Sequence, residues 1–423
     1  MRHLLLCAVL LAACGTPNTV KDAGAEDSGT IETTDSGMPA VDSGVADAGE
    51  MDASVPDAGE VDAGEIDSGV PDAGVPDAGT PDAGTPDAGS PPRLFVFTGG
   101  SNGQIRVFGF NTTTGAMTAL GTTAAGSGSS FLAADVPRSR LYVTNEGSNQ
   151  IAAFTLNTAD AGLTFLNRVS SGGALPAHVS VDRTGQYVFA ANYNGNTVAV
   201  LPVNSGGLAA PSQTISSLGQ AHQIFTDPTN RFAYVPCKLD DKIAQFSFNA
   251  GTLTALNPAS MATATGAGPR HLALHPTLAR AYLINELGST MQTLDVSNTG
   301  TLSSLQTLST LPSTFTMTNT AAEVAVHPNG QFVFGSNRGH NSIATWRVDQ
   351  VTGLLTFVAH TATGGATPRH FSIDPSGTWM VVGNQDSNNV VVFRVNPTTG
   401  ALTSVGSPVT VTGPAFAGFV ELP

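Results

Sequence analysis

Sulfur and charge are both scarce in this chain, and each shortage narrows what it can be. There are three cysteines in 423 residues: Cys7, Cys14 and Cys237. The first two sit at the extreme N-terminus, so one thiol remains for the rest of the chain and no internal disulfide can staple it. Stability must come from packing. Charged residues make up only 12% of the chain, and no basic patch or aromatic-studded basic run occurs, which argues against nucleic acid as a partner. Helix signals are nearly absent beyond residue 93. The apolar run 4–11 is too short to span a bilayer as a helix.

The net charge of −15 belongs almost wholly to one segment. Residues 21–92 carry 18 acidic side chains and one basic one, Lys21, whereas 93–423 carry 14 acidic and 15 basic. The acidic segment repeats units such as Pro71-Asp-Ala-Gly74 and Pro81-Asp-Ala-Gly84. It cannot bury an apolar core, and its like charges repel, so 14–92 is expected to be a disordered, extended linker. Its reach would lie between about 50 Å as a coil and about 230 Å fully extended. Ahead of it, 1–13 has Arg2 and then an apolar run, the pattern of a signal segment. Leu11-Ala12-Ala13-Cys14-Gly15 matches a lipobox, making Cys14 the expected lipidation site. Gly15 is not the aspartate that often retains lipoproteins at the inner membrane, so the expected location is the outer membrane or cell surface, with the lipid anchor as the only membrane contact.

Residues 93–423 are one motif repeated every 45–50 residues or so. The register mark is a β-run closing on asparagine: Tyr142-Val-Thr-Asn145, Tyr187-Val-Phe-Ala-Ala-Asn192, Tyr282-Leu-Ile-Asn285, Phe332-Val-Phe-Gly-Ser-Asn337 and Trp379-Met-Val-Val-Gly-Asn384. Tight turns precede it, including Asp182-Arg-Thr-Gly185, Asp227-Pro-Thr-Asn230, His327-Pro-Asn-Gly330 and Asp374-Pro-Ser-Gly377. A third strand follows, β-branched and aromatic, as in Ile151-Ala-Ala-Phe154 and Val390-Val-Val-Phe393. First strands begin near 131, 177, 222, 271, 323 and 370, giving six complete repeats. The piece 93–120 lacks a first strand and 415–422 is a lone strand, so together they make a seventh. The expected fold is all-β: a seven-bladed propeller of four-stranded antiparallel blades, closed by the C-terminal strand.

Antiparallel strands bring the start of each first strand and the end of each second strand to one mouth. The column after the asparagines reads Glu146, Tyr193, Lys238, Glu286, Arg338 and Gln385; the column before the first strands reads Ala177, His222, Arg270, Ala322, Arg369 and Ala415. The asparagines are scaffold, suited to left-handed turns and to bonding loop backbone. Cys237 replaces one of them. The variable columns gather His222, Arg270, Glu286, Arg338, Arg369, Lys238, Tyr193 and Gln385 around one pocket. Guanidiniums there can grip a carboxylate or phosphate and polarise a carbonyl, while Glu or His moves a proton. His271, His340 and His370 sit in different repeats, and a packed role suits them better than a metal site. No metal and no cofactor is expected.

Gly268-Pro-Arg-His-Leu-Ala-Leu-His-Pro276, Ser336-Asn-Arg-Gly-His-Asn-Ser-Ile343 and Gly383-Asn-Gln385 resemble the lactonase-type seven-bladed propellers, which include 6-phosphogluconolactonases and carboxymuconate lactonising enzymes. The resemblance covers 93–423. It implies lactone chemistry at His222, Arg270, Glu286 and Arg338. Arg270 and Arg338 would hold a carboxylate or carbonyl, with Glu286 and His222 as the proton-transfer pair; Tyr193, Lys238, Arg369 and Gln385 would contribute to binding. The implied ligand is a small anionic lactone or carboxylate, bound by a monomer. Two departures fall in the repeat that carries His222: Gln220 stands where the family usually has histidine, and Cys237-Lys238-Leu239 where it usually has an Asp-Leu-Gly-like turn. Tyr142-Val-Thr-Asn145 also resembles a surface-layer propeller signature. The alternative is therefore a non-catalytic cell-surface propeller that binds a ligand or protein.

Overall fold

A computed structural model describes residues 93–423; the expected signal segment, lipidation site and linker lie outside the described residues. The chain forms seven antiparallel sheets arranged as a propeller. Blades 1 to 6 follow in chain order, spanning 132–170, 176–215, 225–262, 269–309, 320–362 and 368–410. Blade 7 takes its inner strand from Pro414–Leu422, which pairs antiparallel with Arg93–Gly100. The strands Gln104–Phe110 and Met117–Ala124 complete it. The expected closure is therefore present, its outer strand reaching four residues further than the sequence suggested. Six blades have four strands. In blade 2 the outer strand is split into Gly207–Leu208 and Gln213–Ile215, both paired with Thr197–Asn204.

The apolar core falls into seven clusters, each between two neighbouring blades. One joins Phe97 and Ile105 of blade 7 to Leu141 and Phe154 of blade 1; another joins Tyr282 and Met291 of blade 4 to Val333 and Trp346 of blade 5. Both faces of a middle strand thus face apolar neighbours, which is why second and third strands read as continuous Val/Ile/Phe runs rather than alternating ones.

The repeated polar positions hold blades together. Asn192, Asn337 and Asn384 each donate from Nδ2 to a carbonyl of the segment arriving from the previous blade, at Ser171, Thr310 and Thr363, 2.8–3.1 Å away. The left-handed residues are not these asparagines but the positions four further on: Asn149, Asn196, Asp241, Ser289, Asn341 and Asn388. Cys237 makes no such cross-blade bond. It is fully buried in the core between blades 2 and 3, and burial pushes its thiol pKa up to about 12. In the turns, Asp182 Oδ1 accepts the amides of Gln186 and Tyr187. His275 and His327 reach the carbonyls of Gly330 and Gly377 in the next blade.

One local irregularity positions the site. Inner strands slip register between Pro176 and His178, Pro269 and His271, Ala321 and Val324, and Pro368 and His370. A bulge sets two consecutive residues against one partner. Arg270 and His271 therefore both reach groups on the channel side, Glu286 and Glu323. The string Gly99-Gly-Ser-Asn-Gly103 has the Gly-x-Ser-x-Gly spacing of a hydrolase elbow, but it is the hairpin after Arg93–Gly100, not a strand-to-helix turn.

Candidate active site

A cavity of about 280 Å³ opens at the mouth where the variable columns meet. Its lining is Glu146, Leu175, Ala177, Tyr193, His222, Glu286, Arg338 and Arg369. Larger grooves lie away from these residues, at blade edges and turns. The small cavity is where the charge is concentrated. Glu286 is its hub: Lys238 Nζ donates to Oε1 at 2.7 Å, while Arg270 Nε and Arg338 Nη2 lie 3.2 and 3.1 Å from Oε2. Lys238 also donates to the Tyr193 hydroxyl at 2.9 Å. It thus supplies a cation in the blade that departs from the family pattern. Arg270 and Arg338 additionally donate to the carbonyls of Ala322 and Ala321, which fixes both guanidiniums.

Of the residues expected at the site, His222, Glu286, Arg338, Tyr193 and Arg369 line the cavity. Arg270 and Lys238 contact Glu286 without being among the lining residues. Gln385 is not among the lining residues either; it is half-buried, and its backbone amide donates to the Thr367 carbonyl. Glu146, a member of the variable column but not one of the residues expected to bind, lines the cavity and accepts a bond from the Ser130 hydroxyl. His340 packs with Phe315 and His360 elsewhere. Among the described residues, no group of three or more His, Cys, Asp or Glu is arranged to hold a metal ion.

Electrostatics separates the two groups expected to move a proton. Burial alone would raise the Glu286 pKa, but Arg270, Arg338 and Lys238 overcome it and hold the carboxyl below its ordinary range. Glu286 is thus ionised and weakly basic. Burial, then Arg270 and His271, drive His222 well below the ordinary imidazole value, so it is neutral at pH 7 with a lone pair to offer. Burial and Arg338 bring Arg270 down to about 9, still charged at neutral pH.

Below the cavity lies a second ring, built from positions that repeat periodicity alone marks as scaffold: Phe131, His178, His271, Glu323, His370 and Phe416, with ring centroids 4.2–6.0 Å apart where they meet. Burial is the leading cause of lowered pKa values at His178, His222, His271 and His370. The unfolded chain binds protons on these groups below about pH 6.5 that the folded chain refuses, so stability falls as pH drops through that range. Glu323, whose pKa burial raises, acts in the opposite direction: its extra native proton stabilises the fold as pH drops. Denaturant titrations at pH 7.5 and 5.5 are expected to differ by roughly 2–3 kcal/mol, the protein being weaker in acid. Equal stability at the two values would mean that these imidazoles are not held neutral.

Comparison with known proteins gives the same shape and a chemical context. The family described as lactonase, seven-bladed β-propeller, matches residues 93–419. The 6-phosphogluconolactonase of Yersinia pestis (strain Pestoides F) is 37% identical over 199 residues, 46% of this chain and 59% of that protein. That of Pectobacterium carotovorum is 36% identical over 207 residues, 48% and 62% of the two chains. The matched stretch therefore spans about three fifths of these relatives. The periplasmic gluconolactonase of Pseudomonas aeruginosa superposes with a TM-score of 0.73 at 28% identity, covering 78% of this chain and 99% of that one. With blades, closing strand and family match in agreement, the chain belongs to the seven-bladed β-propeller lactonases.

Proposed function

We propose that this protein hydrolyses the ring ester of a small anionic lactone, of sugar-acid or carboxylate-bearing type, at the mouth lined by His222 and Arg338. The observation that carries this is the pairing of a neutral, buried imidazole with cations in a cavity of about 280 Å³. That volume lies just below the range of about 300–1,000 Å³ for drug-sized ligands and suits a monosaccharide-sized one. Arg369 lines the cavity and forms none of the Glu286 ion pairs, so its guanidinium is available to an anionic substituent. His222 Nε2 takes a proton from water as the water oxygen bonds to the lactone carbonyl carbon. The carbonyl electron pair moves onto oxygen beside Arg338. Re-forming the carbonyl breaks the ring C–O bond, and the imidazolium returns its proton to the departing alkoxide. The product is the open hydroxy acid. Glu286, clamped by three cations, shapes the charge rather than moving the proton.

The lipobox at Cys14 supports display outside the cytoplasm, where an unphosphorylated sugar lactone or a carboxylated lactone is a better match than a phosphorylated intracellular one. The similar Pseudomonas aeruginosa protein, a periplasmic gluconolactonase, points the same way. The test is a panel of neutral, carboxylated and phosphorylated lactones assayed with the full chain and with Arg369→Ala. For anionic lactones KM is expected to rise about tenfold or more in the variant, the loss of one charge-assisted contact, with a smaller change for neutral ones. Wild-type rates at the level of spontaneous hydrolysis on every compound would dismiss the enzyme and favour the non-catalytic binding propeller.

A further inference from the structure

Beneath the cavity, side chains from four blades form a continuous polar chain. His222 Nδ1 is 3.2 Å from His271 Nε2. His271 Nδ1 is 3.0 Å from both Glu323 oxygens. Glu323 Oε2 is 3.5 Å from His370 Nε2, and His370 Nδ1 is 2.9 Å from the Ala417 carbonyl. All four residues are buried, none more than 8% exposed. We propose that His271, Glu323 and His370 are positioning residues that lock His222 in one tautomer, its Nδ1–H turned inward and its Nε2 lone pair turned toward the cavity. The proposal rests on the lactonase reading insofar as it gives that lone pair a proton to take.

The proton count follows from the acceptors. His370 Nδ1 is 2.9 Å from the Ala417 carbonyl, which only accepts, and 3.4 Å from the Ala417 amide; the shorter contact has Nδ1–H donating to the carbonyl and leaves Nε2 bare. A bare nitrogen facing an ionised carboxylate would set lone pair against lone pair, so Glu323 carries a proton on the oxygen turned to His370. Its other oxygen accepts from His271 Nδ1–H, with Val324 N–H donating to Oε1 at 3.1 Å. His271, neutral, then has a bare Nε2, and only a proton on His222 Nδ1 can fill the contact between them. Burial supports each assignment: it raises Glu323 and lowers the three imidazoles. Other charged or titratable groups facing these residues are Arg270, Arg338, Arg369 and Tyr193 around His222, with His178 beside His271 and Glu286 near both. Glu286 favours a second proton on His271, but burial and the arginines outweigh it, and both imidazoles stay neutral. Such wiring from base to buried partner is the general means by which proteins choose an imidazole tautomer.

The test uses the full chain, labelled with ¹⁵N-histidine, alongside Glu323→Leu and Glu323→Gln. Glutamine can mimic the neutral acid, its carbonyl accepting from His271 and its amide donating to His370; leucine fills the space and does neither. Ring ¹⁵N shifts are expected to show His222 with a protonated Nδ1 and a bare Nε2 in the wild type and in Glu323→Gln, and as a tautomer mixture in Glu323→Leu. With a lactone substrate, Glu323→Leu is expected to lose kcat by about 10- to 100-fold at nearly unchanged KM, the usual effect of removing an orienting partner. Glu323→Gln restores the rate to within about threefold, with the acid limb of its pH profile unmoved. Finding His222 protonated at Nε2 in the wild type overturns the proposal, as does an equal kcat in the two variants. Absence of turnover on any lactone would count against the proposed function alone, because the ¹⁵N spectra decide the wiring without substrate.

Discussion

Glu286→Gln is expected to lower the stability of the protein by about 3 kcal/mol, the low end of what breaking a buried ion pair costs. The substitution keeps the size of the side chain and one acceptor oxygen while removing its charge. What remains is Arg270 at 3% exposure, Arg338 and Lys238, all within hydrogen-bond distance of a group that no longer neutralises them. Arg338 already disfavours the charge of Arg270, and Arg369 that of Arg338, while Glu286 opposes both. Urea titration followed by the fluorescence of the buried Trp346 and Trp379 measures the loss. A second consequence separates electrostatics from packing. The variant presents an uncompensated cationic mouth, so inorganic phosphate is expected to stabilise it more than it stabilises the wild type, by about 2.7 kcal/mol at 100 times the dissociation constant. A variant as stable as the wild type, or equally indifferent to phosphate, would show that the carboxylate is not what allows these cations to share one cavity.

The sequence displayed the propeller and most of the mouth for the same reason: a repeat separates what every blade needs from what single blades carry. The Asn192, Asn337 and Asn384 bonds to the preceding blade explain the regular spacing of the register mark, and the closing strand followed from counting strands at the two ends. Columns beside that mark put His222, Glu286, Arg338, Tyr193 and Arg369 at one cavity. Two things were not legible. The bulge in the inner strands turns both Arg270 and His271 toward the channel side, whereas strict alternation would have sent one of them into the blade interface. The second ring, with Glu323 at its centre, was hidden for that reason. Gln385 occupies a site column as well, yet it is not among the residues that line the cavity, since a column fixes height and blade only.

The other large effect concerns the base itself. His222→Gln is expected to lower kcat on the best lactone by about 10²- to 10⁴-fold, the range for losing a positioned general base, with KM changed little. Glutamine can keep a donor toward His271 Nε2 but has no lone pair of imidazole basicity to turn into the cavity. Because burial, Arg270 and His271 hold the His222 pKa well below 6.5, activity in the wild type is expected to stay level through neutral pH. It should fall only as pH drops through that depressed value, where protonation removes the base. A wild-type acid limb above pH 6.5 would contradict this, since it would require surroundings that favour the imidazolium. Glu286 is the other group able to produce an acid limb, and its own depressed pKa would put that limb below the ordinary carboxylate range. His222→Gln therefore also decides between them: if the limb survives in the residual activity of the variant, the carboxylate moves the proton, and if the limb disappears with the imidazole, His222 does.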